Sequence, residues 1–173
     1  MYLKIVGSIM IIVSTSAIGY WYSMELQKHL NDLQYIRQLF LMIYGEIHYT
    51  QEAFGEVFSH LGRQLREPYA AWLENMTTEI RDRRRASFTE LWCESIDTFL
   101  SVSNLKKEDL SELKDLGTQM GYLDTDTQLG VLKLYTEKLD LRIQTIRGGL
   151  APKKRLCNCL GIMSGIFIAI ILV

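Results

Sequence analysis

If this chain carried out a reaction, its three histidines and three cysteines would be the first residues to consider. His29, His48 and His60 are dispersed. None stands in the H-E-x-x-H spacing that sets metal ligands on one helix face, and none lies beside a plausible cysteine nucleophile. Glu46 and His48 are two positions apart on a helix and so point to different faces. Cys93, Cys157 and Cys159 make neither a disulfide framework nor a zinc set, and Cys157-x-Cys159 opens an apolar run in which small, soft residues pack. There is no Gly-x-x-x-x-Gly-Lys phosphate loop and no dinucleotide fingerprint, so nucleotide hydrolysis would have to be supplied by a partner. The expectation is a protein without enzymatic activity, cofactor or metal, whose chemistry is recognition.

Charged groups are the remaining candidates for that role. Arg81, Arg83, Arg84 and Arg85 form a basic stretch without an apolar position. It suits an acidic partner or anionic lipid heads, worth about 1 kcal/mol per residue near such a surface, or else a solvated loop between two helical halves. Glu108, Asp109, Glu112 and Asp115 gather on the polar side of one helix, as an acidic docking face or as its solvent-exposed side. Glu46 and Tyr49, at i and i+3, lie on one side of another helix, where the Glu is expected to be hydrogen-bonded in the bundle and the Tyr packed by its ring. With 19 basic and 20 acidic residues the net charge is −1. Such a balance gives no positive field for nucleic acid, and no small-molecule substrate is implied.

The elements that position these groups begin at the ends. Ile5 to about Tyr22 and about Leu156 to Val173 are uncharged runs of roughly eighteen residues, within the roughly 17–25 needed to cross a bilayer. The N-terminal run has thin signal-peptide features in Lys4 and Ser14-Thr15-Ser16-Ala17, but no convincing cleavage site follows and it leads into helical periodicity, which favours a retained anchor. The expected division is a transmembrane helix over 1–23, a cytoplasmic helical domain over 24–153 and a second transmembrane helix over 154–173. Arg147, Lys153, Lys154 and Arg155 precede the second run and no charge follows it, which places the middle of the chain in the cytoplasm and both termini on the far side. In the second run Gly161, Gly165 and Ala169 fall at four-residue steps, a ladder that lets helices approach closely in lipid, against the first span or a second copy of the chain.

Between the ends the periodicity is helical. Leu26, Leu30, Leu33, Ile36, Phe40, Ile43 and Ile47 form one stripe, continuing from the first span. Phe54, Val57, Phe58, Leu61 and Leu65 form a second, and Trp72, Leu73, Met76 and Ile80 a third, with Pro68 in its first turn. Ser87-x-x-Glu90 reads as a capping box before Trp92, Ile96, Phe99 and Leu100. Leu110, Leu113, Leu116 and Met120 follow, closed by Gly121 as a left-handed C-cap. Thr125-x-x-Gln128 reads as another capping box before Leu129, Leu132, Tyr135, Leu139, Ile143 and Ile146, with Gly148-Gly149 and Pro152 interrupting the helix. No alternating segment competes. The fold class is all-α, a membrane-anchored bundle of about six helices flanked by the two transmembrane helices.

Taken in order, Glu46-Ile47-x-Tyr49, Phe88-x-Glu90-x-Trp92, Leu116-Gly117-x-x-Met120-Gly121-x-x-Asp124-x-x-x-Gln128 and Leu160-Gly161 resemble the stage III sporulation protein AB family of endospore-forming bacteria. The resemblance covers essentially the whole chain. It departs at Glu52-Ala53-Phe54, where the family often has proline and leucine, and at Met120, where leucine usually precedes the glycine. The resemblance implies a component of the channel joining mother cell and forespore, in the mother-cell membrane around the forespore. That family looks like the cytoplasmic domain of the F protein of type II secretion systems and type IV pili, and by that analogy this chain is a platform for the stage III sporulation protein AA ATPase among the other stage III A-operon proteins. Two further readings are a general secretion or pilus assembly subunit, which would carry a second copy of the domain, and a membrane-bound helical signalling adaptor, which would carry a ligand pocket or output element.

Overall fold

The computed structural model describes residues 2–82, 87–121 and 124–172, with side chains of the two terminal stretches described at some positions only. Among them six α-helices and no strand occur: α1 (Tyr2–Thr50), α2 (Phe54–Gly62), α3 (Tyr69–Asp82), α4 (Phe88–Phe99), continued by a 3-10 turn at Leu100–Val102, α5 (Lys107–Met120) and α6 (Thr125–Leu172). The chain divides into two compact units, one of Asp32–Arg142 and one built from the chain before and after it.

The Asp32–Arg142 unit is organised by the predicted stripes. Leu33, Ile36, Phe40, Ile43 and Ile47 of α1 are buried, as are Val57, Phe58 and Leu61 of α2, Trp72, Leu73 and Met76 of α3, Trp92 and Ile96 of α4, Leu113, Leu116 and Met120 of α5, and Leu132, Tyr135 and Leu139 of α6. Apolar residues recurring at three and four positions share one helix face, so each helix turns a single face inward. At the centre stands Trp92. Its ring packs edge-on to Trp72 at 5.0 Å between centroids and stacks on Phe88 at 5.6 Å, with Phe58 and Phe40 at 6.3 and 6.4 Å. Buried indoles need an acceptor for the ring N–H. Trp92 donates to the Leu113 carbonyl at 2.8 Å and Trp72 to Ser95 Oγ at 3.0 Å.

Ser95 therefore matters beyond its size. It is buried, and besides accepting from Trp72 its hydroxyl lies 3.0 Å from the Trp92 carbonyl. Ser95→Ala leaves the Trp72 N–H buried without that acceptor, a loss of about 1–2 kcal/mol. Thermal unfolding of the variant should show a lowered midpoint, and an unchanged midpoint would remove Ser95 from the account of the core.

Four local expectations are corrected. The Ser87 side chain makes no capping hydrogen bond to α4. At the start of α6 the cap is Asp124, whose carboxylate accepts from the Thr127 amide at 3.3 Å and its hydroxyl at 2.6 Å, while Gln128 donates to the Met120 carbonyl at 3.2 Å. A carboxylate at N-cap outcompetes the hydroxyl of Thr125 for the free amides, and those hydrogen bonds hold the Asp124 carboxyl below the usual carboxylate range. Gly121 closes α5 with φ −66° and ψ −18°, an ordinary right-handed conformation rather than a left-handed one. Lastly, Pro152 lies inside α6, which continues to Leu172. Proline removes one intrahelical hydrogen bond and strains one turn, and the helix on either side is still supported by its own bonds.

The second unit comprises the helical segments at the two ends of the chain. Ser23, His29, Leu30 and Ile143 are buried there, and Ser23 Oγ donates to the Gly19 carbonyl at 3.0 Å. By contrast Met10, Val13, Ile18, Tyr20, Trp21 and Tyr22 are each at least half exposed. Among the described residues no helix is long and apolar enough to cross a membrane. The side chains of much of the two predicted spans, those at positions 161, 165 and 169 among them, lie outside what is described, so the ladder of Gly161, Gly165 and Ala169 has no described contacts.

Candidate interaction surfaces

Charged side chains in the Asp32–Arg142 unit fall into those that join helices and those left on the surface. The first hub is Asp32 on α1, buried although ionisable. Its Oδ1 lies 2.6 Å from Arg66 Nη2 in the α2–α3 connection. Its Oδ2 accepts from the Asn104 amide at 2.8 Å and the Asn104 side chain at 3.0 Å in the connection before α5. Buried carboxylates persist where they are paired and hydrogen-bonded, and here one carboxylate ties two connections to α1. Arg66 also lies over the Tyr35 ring at 4.2 Å, and its backbone amide donates to the Tyr35 hydroxyl at 2.8 Å.

A second hub joins α5 to α6. Asp109 accepts from the Lys106 amide at 2.8 Å, serving as the returning half of a cap at the start of α5. The same carboxylate lies 3.0 Å from Arg142 Nη2, while Arg142 Nη1 donates to Glu112 at 3.0 Å and Lys138 approaches Glu112 at 3.4 Å. Neighbouring Tyr135 is held neutral: burial, then the charges of Glu112 and Asp109, push its phenol far above the usual range, against a smaller lowering by Arg142.

Of the predicted acidic face, Asp109 and Glu112 are thus engaged with α6, and Glu108 and Asp115 are exposed on α5. Of the predicted basic stretch, Arg81 is exposed at the end of α3, and Arg83, Arg84 and Arg85 lie outside the described residues. Glu46 and Tyr49 part ways. Tyr49 is 91% exposed rather than packed, and Glu46 faces His60 of α2. A groove between α1 and α6 is lined by Arg37, Leu41, Tyr44, Lys133, Thr136 and Asp140, with Arg37 Nε 3.1 Å from Asp140.

Sequence reading missed Asp32, Arg66 and Arg142. Their partners are 30 to 72 positions away in the chain, so no periodic pattern carries them. Gly117 marks a close crossing of α4 and α5, since a Cβ there would stand 2.0 Å from Trp92 Cδ1.

These features define an all-helical scaffold in which much of the charge is used to join its own helices. The chain belongs to the stage III sporulation protein AB family, whose model matches residues 4–173. Stage III sporulation protein AB of Bacillus subtilis (strain 168) is 21% identical over 170 residues, covering 98% of this chain and 99% of that protein. A solved structure of a stage III sporulation protein AB superposes with a TM-score of 0.63 at 18% identity, over 72% of this chain and 97% of that one, which supports the fold.

Proposed function

We propose that this sporulation protein is a non-catalytic, membrane-anchored platform of the mother cell–forespore channel that docks the stage III sporulation protein AA ATPase from the cytoplasm. The observation that carries the reading is the family match along essentially the whole chain. Membrane anchoring is supported by the two uncharged terminal runs and by the exposure of Met10, Val13, Ile18, Tyr20, Trp21 and Tyr22. Apolar groups concentrated in this way are expensive in water, and Tyr20-Trp21-Tyr22 has the amphipathic aromatic character favoured at a membrane interface. In this reading the first helix enters the membrane from α1, the last from α6, the intervening domain lies in the cytoplasm, and both termini lie on the far side.

The ATPase would meet the exposed charges Glu108 and Asp115 on α5, or Arg81 at the end of α3, which Arg83, Arg84 and Arg85 follow in the sequence. Asp109 and Glu112 are unsuited to a docking test because reversing them breaks the contacts with Arg142. The test is co-purification of the full chain in detergent with the ATPase, comparing wild type with Glu108→Lys/Asp115→Lys and separately with Arg81→Glu. The expected result is retention by the wild type and a loss of at least about tenfold in bound ATPase for one of the two variants, since each reversed interfacial charge costs several kcal/mol. No retention by the wild-type chain would overturn the docking role.

A further inference from the structure

Three potential metal ligands from separate segments meet at one edge of the Asp32–Arg142 unit: Glu46 near the end of α1, Glu52 in the connection after it, and His60 in the last turn of α2. One ligand atom from each lies within 4.8 Å of the other two. His60 Nδ1 is 3.4 Å from Glu46 Oε1 and 3.7 Å from Glu52 Oε2. Ligand atoms about 2.0–2.1 Å from a tetrahedral zinc ion stand roughly 3.3–3.5 Å apart, so both distances from His60 are near that spacing and the two carboxylates, within 4.8 Å of each other, close the third side by drawing together on the ion.

We infer that Glu46, Glu52 and His60 form a binding site for a divalent transition metal of the zinc class. Charge favours it. The two carboxylates converge on one imidazole, and no lysine or arginine forms an ion pair with either of them among the described residues. A dication placed among the three converts mutual carboxylate repulsion into attraction. The imidazole selects the class of ion, because calcium and magnesium prefer sites made of oxygen alone whereas zinc takes nitrogen and oxygen together. All three residues reach solvent to some degree, so a water can occupy the fourth position and the ion has a path of entry. A bound ion would pin α2 to the end of α1 beside the exposed Tyr49, ordering a surface that the docking role leaves unassigned. The spacing 46, 52, 60 follows none of the helical metal-binding motifs, so the site comes from the chain turning back on itself between α1 and α2.

The test uses the full chain in detergent with Cys93→Ser, Cys157→Ser and Cys159→Ser, which removes all three thiols, and zinc chloride as the probe. Equilibrium dialysis should give one zinc ion per chain. His60→Ala and Glu52→Gln, each checked for native helicity by circular dichroism, should weaken binding by at least about tenfold, on the scale typical of losing metal-site groups. Cobalt(II) should give visible absorption of tetrahedral intensity in the parent and not in His60→Ala. Absence of stoichiometric zinc in the parent, or equal affinity in the parent and both variants, would overturn the site.

Discussion

Gly117→Ala is expected to destabilise the domain by about 3 kcal/mol, although alanine is the better helix former by about 1 kcal/mol. The added methyl would lie 2.0 Å from Trp92 Cδ1 and 2.3 Å from its Cγ and Nε1. Flexible neighbours could move aside; this one cannot. Trp92 is fully buried, tethered through its N–H to Leu113, one turn before Gly117, and enclosed by Trp72, Phe88, Phe58 and Phe40. To accept the methyl, α5 must move away from α4, which lengthens the indole hydrogen bond and opens the aromatic cluster. For a chain of this size the loss corresponds to a fall in melting temperature on the order of 10 °C. Gly45 and Gly130 provide the control, since a Cβ at either meets nothing within 4 Å. Alanine at those positions should leave stability unchanged or raise it by up to about 1 kcal/mol. Equal effects at 45, 117 and 130 would show that α4 and α5 do not cross as closely as described.

Asp32→Ala should cost a similar amount, about 3 kcal/mol, by another route. The substitution deletes a charge-assisted contact with Arg66 and two acceptor sites for Asn104. Arg66 is half exposed and regains water, so the larger loss is the anchoring of the two connections. The consequence to measure is local as well as global: amide exchange should accelerate around Arg66 and Asn104 before it does in the Trp92 cluster. Asp32→Asn keeps one acceptor and should fall between wild type and alanine. Unaltered exchange in both connections would mean that Asp32 is a bystander.

What could be read in the sequence follows the range of the interaction. The inward stripes of all six helices depend on spacings of three and four residues, so Leu33 through Ile47, Trp72 through Met76 and Leu132 through Ile143 were visible as core. Leu39, three residues after Ile36 and four before Ile43, is buried on the same stripe. Helix ends were less legible, because adjacent candidates compete for the same amides: Asp124 wins over Thr125 at α6, and Ser87 contributes no cap at α4. Pro152 shows the limit of punctuation rules, since a long helix carries one proline without ending. The charged hubs were hidden for a different reason. Asp109 and Glu108 are adjacent and chemically alike, yet one is buried against Arg142 and the other is exposed, a distinction made only when α6 packs on α5. The meeting of Glu46, Glu52 and His60 likewise depends on the turn between α1 and α2, where Gln51 takes a positive φ of 55°.

The platform role rests on the chain being held at a bilayer. The most direct measurement is fractionation of sporulating cells producing the intact chain, with the membrane pellet washed in alkaline carbonate and then extracted with detergent. Recovery of full-length protein in the washed pellet, released only by detergent, is the predicted result. Full-length protein in the aqueous supernatant before detergent is added would contradict it.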